Sequence, residues 1–305
     1  MKIAFLIMAH TDPRQLHRLL HALDDPRFDL FVHLDKKSDK AAFRLEEVQL
    51  RHSRLVLIPK RVKVYWADIS QVEAMLALYR CALKEGDYQR FVMLSGIDYP
   101  TVSNDTIYRT LTQTDRELVT APPISQQTHL RVTGYSFWKL QSPYWINRIQ
   151  MSLYDRNIRK NTWLTVGGRR WEVYLSATWH CLSREAVEHI LATLKKYPQI
   201  LRYFRYAHGP DEMFISTILG NSPEFASRLT PFVRKNKEAF DDRPVLHYVR
   251  YAPINRDGRR ISSIRTFDES DFESIRDSGK LFVRKVTTED SGKLLDLLDQ
   301  NRKDR

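Results

Sequence analysis

The chain reads as an α/β protein with a mostly parallel central sheet flanked by helices. Three observations predict this. Ile3 to Met8 is a continuous apolar run, the mark of a strand buried on both faces. Elements then follow in the order strand, helix, strand, strand, helix, strand, which builds a parallel sheet covered by helices. Three of the strands end in polar clusters, and sheets of this class hold ligands outside the carboxyl ends of their strands.

After Ile3 to Met8, Asp12-Pro13 opens a helix with Leu16, Leu19, Leu20 and Leu23 on one side. Leu30 to Leu34 is a second strand ending at Asp35, and Arg54 to Ile58 a third. Ser70 is expected to cap a helix with Val72, Met75, Leu76, Tyr79 and Leu83 at helical spacing. Phe91 to Leu94 is a fourth strand. From Gln126 to Arg170 no period is sustained; Trp138, Tyr144, Trp145, Tyr154 and Trp163 stand among arginines. Such a stretch reads as long loops and short helices over a ligand face. Tyr174 to Leu182 returns to strand, and Ser183 caps a helix carrying Val187, Ile190, Leu191 and Leu194. Strand-like runs follow at Val245 to Tyr251 and Leu281 to Val286, and Thr287 to Asn301 reads as a helix with an acidic start. No repeat or low-complexity linker interrupts the chain. One domain over residues 1–286, with 287–305 as a helical extension packed on it, is the simplest division.

Composition narrows the function. Among 305 residues, 42% are hydrophobic and 11% aromatic, enough for a sizeable core. The sequence has 10 glycines and neither a dinucleotide fingerprint nor a P-loop. A formal charge of +12 favours anionic partners. The basic residues are scattered, with local density at Lys36-Lys37, Lys60 to Lys63, Arg169-Arg170, Arg234 to Lys237 and Arg256 to Arg260. With no long basic tail, nucleic acid is not expected as a partner. Cys81 and Cys181 make neither a disulfide framework nor a metal spacing and read as core thiols. No signal peptide or membrane span is recognised, so a cytoplasmic location is expected, peripheral at the inner face of the membrane through the basic surface.

The segment His208-Gly209-Pro210-Asp211-Glu212 carries the sharpest chemical signal. Pro210 suits a first helical position. Asp211 and Glu212 then fall in the first turn, where the helix dipole favours the ionised carboxylate. A carboxylate held there can serve as a general base; acidic residues in a first turn are also ordinary capping chemistry. Three strand ends outline one crevice: Ala9-His10-Thr11-Asp12, His33-Leu34-Asp35-Lys36-Lys37 and Ser95-Gly96-Ile97-Asp98-Tyr99-Pro100. No Asp-x-Asp is present to hold Mg²⁺ or Mn²⁺ against a diphosphate. Cationic side chains would have to take such a charge, and Arg265, Arg284 and Lys285 are candidates. The tryptophans Trp138, Trp145, Trp163 and Trp179 are candidates for stacking on sugar faces, or for the core.

These stretches, together with Trp66-Ala67-Asp68-Ile69-Ser70-Gln71, Ser176-Ala177-Thr178-Trp179 and Leu281-Phe282-Val283-Arg284-Lys285, appear in the order found in one family. The sequence resembles the core-2/I-branching β-1,6-N-acetylglucosaminyltransferases and the related peptide O-xylosyltransferases, to about Val286. The resemblance implies a GT-A-like glycosyltransferase fold and an inverting transfer from a UDP-sugar to a glycan hydroxyl. N-acetylglucosamine is the first donor sugar expected, with xylose, glucose or galactose as alternatives. It implies no cofactor and no divalent metal. It gives Glu212 the role of catalytic base and Lys285 that of diphosphate ligand, partnered by Arg265 or, next, Arg260, with Arg284 beside them. Ala9, His10 and Asp35 match positions near the uracil and ribose, and Asp98, Trp66, Asp211 and Trp179 positions near the sugars. The animal branching enzymes carry a membrane anchor and disulfides. This chain lacks that pattern and looks like a bacterial, cytosolic member, acting on a surface glycan that a lipid carrier could hold.

Overall fold

The computed structural model describes residues 1–125, 128–137, 149, 152–153, 156, 159–233, 244–256 and 259–303. Along the chain the strands are β1 (Ile3–Ala9), β2 (Phe28–Leu34), β3 (Arg54–Leu57), β4 (Arg90–Ser95), β5 (Asp98–Pro100), β6 (Trp163–Val166), β7 (Arg169–Glu172), β8 (Cys181–Ser183), β9 (His247–Val249), β10 (Tyr251–Arg256), β11 (Arg259–Ile264) and β12 (Phe282–Arg284). The central sheet has the order β3-β2-β1-β4-β8, parallel except for β8. Alternation along β1 sends Ala4, Leu6 and Met8 into one apolar cluster and Ile3, Phe5, Ile7 and Ala9 into another. The first cluster is closed by helices Ile69–Glu85, Arg184–Lys196 and Phe214–Gly220, through Tyr79, Ile190 and Ile218. The second is closed by helices Pro13–Ala22, Asn104–Thr112 and Gly292–Lys303, through Leu19, Leu111 and Leu298. Burial on both faces is why β1 is apolar at every position.

A second sheet, β5-β12-β9, stands beside the first. Its antiparallel β5–β12 pair sets Arg284 opposite Asp98. The parallel strands β1, β2 and β4 end at Ala9, Leu34 and Ser95, and the loops beyond them are tied across the sheet. Asp35 N donates to Ala9 O at 2.8 Å and Gly96 N to Met8 O at 2.9 Å. This stitching gathers the polar strand ends into one place.

Several expectations are corrected. Ser70 does not cap its helix. Asp68 does, accepting from Ser70 N at 2.8 Å, while Ser70 Oγ accepts from Tyr65 N. Tyr174 to His180 is not a strand; only Cys181–Ser183 is. The amides of Tyr174, Leu175 and Ser176 go to Thr217 Oγ1, Pro122 O and Glu212 O, three separate partners, so no ladder forms there. Within the stretch read as loops and short helices, β6 and β7 make an antiparallel hairpin. Gly167 and Gly168 turn it with φ of 56° and 77°, the left-handed pair that a two-residue hairpin turn demands. Pro210–Glu212 is a separate 3₁₀ turn, and the helix proper begins at Phe214. The last helix begins at Gly292 rather than Thr287. Trp138, Tyr144, Trp145, Tyr154 and the basic run Arg234 to Lys237 lie outside the described residues, as does the side chain of Arg260 in β11.

Candidate active site

A cleft of about 230 Å³ opens at the carboxyl ends of β1, β2 and β4, lined by Met8, Ala9, His10, His33, Asp35, Lys37, Val64, Trp66, Gln71, Ser95, Trp179 and Arg284. One wall is the loop after β2. Arg61 holds it, donating to Leu34 O at 3.0 Å and to Asp35 O and Ser38 O at 2.6 Å each. Asp35 is buried, and its Oδ1 accepts from Lys37 N at 2.9 Å and Val64 N at 3.3 Å. Lys37 Nζ lies 3.7 Å from Asp35 Oδ2 and 4.4 Å from the centre of the Tyr65 ring. Burial lowers the His33 imidazole to about 4, so it is neutral, and its Nε2 accepts from Val62 N at 2.9 Å. Nδ1 then carries the ring proton. His10 is held below its ordinary value, first by lost hydration and then by the positive charge of Arg284, Lys37 and Lys285, against a contrary pull from Asp35.

Behind the lining residue Arg284 stands Asp98, which is fully buried. Its Oδ2 accepts from Ser95 N at 2.7 Å and lies 3.0 Å from His247 Nε2. Its Oδ1 accepts from Arg284 Nη1 at 2.8 Å. Burial raises the Asp98 pKa, but Arg284, His247 and the Ser95 amide outweigh it and hold the group below the usual carboxylate range. Arg284 in turn lies 4.4 Å over the Trp179 ring, so a carboxylate below and an indole above fix its guanidinium. Lys285 follows at the strand end. Burial and the Arg284 charge lower its pKa, and its ammonium makes no hydrogen bond or ion pair among the described residues. Arg265 adjoins Lys285 along the backbone, where Lys285 N donates to Arg265 O at 3.3 Å. Its guanidinium, however, pairs with Asp271 at 2.8 Å and Asp268 at 3.6 Å.

Glu212 is joined to this cleft through the segment 176–179. Ser176 N donates to Glu212 O at 2.6 Å, and Thr178 Oγ1 to Asp211 Oδ2, also at 2.6 Å. The next residue, Trp179, is the one stacked on Arg284. A second link runs through Trp66, which lines the cleft and meets the His208 ring edge-on at 5.3 Å between centroids. Glu212 Oε2 accepts from Arg131 Nη1 at 2.8 Å. The structure thus gathers Ala9, His10, Asp35, Trp66, Trp179 and Arg284 in one cleft, sets Asp98 against Arg284 and Lys285 next to it, and links Asp211 and Glu212 to Trp179 through the segment 176–179. Trp163 sits in the hairpin under Arg170, 5.0 Å from the guanidinium to the ring centre. Sequence reasoning missed Arg131, His247 and Thr178 as polar partners. Nothing local signals Arg131, since its carboxylate partner is 81 residues away.

The molecule is thus an α/β protein with a polar cleft at the carboxyl ends of its parallel strands. The Core-2/I-branching enzyme family model matches residues 3–275, and the chain belongs to that family. It is 25% identical over 229 residues to xylosyltransferase 1 of Homo sapiens, covering 73% of this chain and 22% of that protein. It is 25% identical over 237 residues to xylosyltransferase 2 of Mus musculus, covering 74% and 25%. The chain spans about a quarter of the length of these curated relatives. Among solved structures, the apo form of mouse xyloside xylosyltransferase 1 overlaps with a TM-score of 0.37 at 11% identity, over 76% of this chain and 85% of that one. An overlap that loose bears on neither substrate nor mechanism.

Proposed function

We propose that this chain is an inverting, metal-independent glycosyltransferase on a GT-A-like scaffold, moving a sugar from a UDP-sugar to an acceptor hydroxyl. As the acceptor oxygen bonds to the anomeric carbon, the bond from that carbon to the UDP oxygen breaks and the hydroxyl proton passes to Glu212. Removal of that proton by a positioned base contributes roughly 10² to 10⁴ in rate. Ala9, His10 and Asp35 receive the uridine, and Lys285 with Arg284 takes up the diphosphate charge. Arg265 contributes only if its guanidinium leaves Asp271. The observation that carries the reading is the segment 176–179, which touches Asp211 and Glu212 at one end and Arg284 at the other. The Glu212 main chain and the Arg284 guanidinium thereby flank one short stretch of chain.

The donor sugar is proposed as N-acetylglucosamine or xylose, the first from the branching enzymes that the motifs resemble and the second from the names of the relatives. The acceptor is proposed as a glycan on a lipid carrier, met at the cytoplasmic face of a membrane that the basic surface would approach. The test is UDP release and product formation with a panel of UDP-sugars, for the wild type and Glu212→Gln. Wild-type turnover with one donor, lost in Glu212→Gln while UDP affinity stays, is expected. Equal turnover by the variant excludes Glu212 as the base. Sugar binding without any turnover reduces the chain to a carbohydrate-binding protein.

A further inference from the structure

Glu212 is gripped by a residue that the motifs do not contain. Arg131 donates from Nη1 to Glu212 Oε2 at 2.8 Å and from Nε to His208 O at 3.3 Å. The main chain closes the same contact, with His208 N donating to Arg131 O at 2.7 Å and Gly209 N to Ala67 O at 3.0 Å. Gly209 is left-handed, φ 69°, and a Cβ at that position would lie 2.3 Å from Arg131 Nη2. The guanidinium therefore lies against main chain that a side chain would obstruct. Both side chains of the pair are largely shielded, 20% and 29% exposed, so water competes weakly for the bond. One planar group fastened to backbone by one nitrogen and to a carboxylate by another leaves that carboxylate little freedom.

We propose that Arg131 is a positioning residue for Glu212, setting the direction of the carboxylate that receives the acceptor proton. The inference deepens the proposed reaction and rests on Glu212 being its base. The pairing has an opposing effect, because a cation weakens a carboxylate as a proton acceptor. Among the described residues, Asp211, the next residue back, and His208, which feels both Arg131 and Glu212, are titratable groups that face the pair. Asp211, when ionised, pushes the other way. Fixed direction is the gain, since a misplaced reacting group costs up to about 100-fold.

The experiment uses Arg131→Ala and Arg131→Lys, with UDP release from UDP-GlcNAc or UDP-xylose, whichever the wild type turns over. Arg131→Ala is expected to lower kcat by about 10- to 100-fold with donor KM within about twofold, the pattern of a lost transition-state contact. Its acid limb should move to higher pH, because Glu212 loses the cation that favours its ionised form. Added guanidinium ion should restore part of the rate, and Arg131→Lys should fall between. Wild-type kcat in Arg131→Ala, or a loss with an unmoved acid limb and no guanidinium rescue, overturns the inference. Calorimetric UDP affinity separates misfolding from a catalytic defect. If Glu212→Gln keeps its turnover, the base assignment and this inference fall together. If Glu212→Gln is inactive and Arg131→Ala is normal, only this inference falls.

Discussion

Of the two oxygens of Asp211, Oδ2 accepts from Thr178 Oγ1 at 2.6 Å and Oδ1 is buried without a hydrogen bond among the described residues. Asp98 is buried more deeply still, yet the two differ in charge chemistry. Asp98 is matched by Arg284, His247 and the Ser95 amide, and its pKa falls. Asp211 faces burial and the Glu212 charge, and its pKa rises to about 6, the Thr178 hydroxyl and Arg131 opposing only in part. The folded state holds the Asp211 proton up to a higher pH than the unfolded chain, so the folded state binds more protons between the two values. Stability therefore falls as pH rises through that window and is lowest above it. Asp211→Asn removes the charge while keeping an acceptor for Thr178. It is expected to raise stability by roughly 1–3 kcal/mol at pH 8 and by little at pH 4. Thermal or urea melts across that range check it; a gain equal at both pH values would show that ionisation is not the cause.

At the scale of elements, the 3₁₀ turn Pro210–Glu212 depends on Gly209 before it. Gly209→Ala forces a left-handed alanine, costing about 1–2 kcal/mol, and drives its Cβ into Arg131. Stability to urea should drop by at least that amount, and turnover should fall with it while UDP affinity holds; unchanged turnover would mean that Arg131 finds another route to Glu212. The same scale shows what the sequence discloses. Strands β1, β2 and β4 are legible because burial on both faces leaves an apolar run that only a buried element tolerates. The glycine pair Gly167-Gly168 is a hairpin signal in plain view, obscured by the arginine- and tryptophan-rich stretch around it. Tyr174 to His180 has the composition of a strand, but its amides are claimed by Pro122, Glu212 and Thr217, which no local pattern reveals. In the candidate site, Ala9, Asp35 and Asp98 are legible as strand ends and Arg284 as a late-sequence cation. Arg131 is not, because it joins the site through a contact between distant stretches of chain.

Over the whole molecule the excess charge of +12 is unevenly useful. Many cations are paired at the surface, as Arg18 is with Asp296 and Asp299, and Arg27 with Asp25 and Asp105. Pairs whose guanidinium still reaches water are partly screened and contribute little each. Around the cleft the arrangement differs. Arg284 is held between the Asp98 carboxylate and the Trp179 ring, which fixes its direction but leaves Asp98 to balance its charge. Lys285 adds a second cation with no acidic partner among the described residues, and Lys37 lines the same cleft. Against the cations Arg284, Lys285 and Lys37 stand the carboxylates Asp98 and Asp35, which leaves an excess of positive charge among these groups, and desolvation strengthens its pull on a bound diphosphate. If these side chains carry the leaving-group charge, turnover should persist in excess EDTA, and donor KM should rise with salt as screening shortens the reach of the field. Lys285→Ala should lower kcat by about 10²- to 10³-fold, as loss of a leaving-group contact does, and added Mn²⁺ should not replace it. Initial rates of UDP release with and without EDTA, for the wild type and Lys285→Ala, decide the matter. Activity abolished by EDTA and restored by Mn²⁺ would transfer the role from the lysine to an ion.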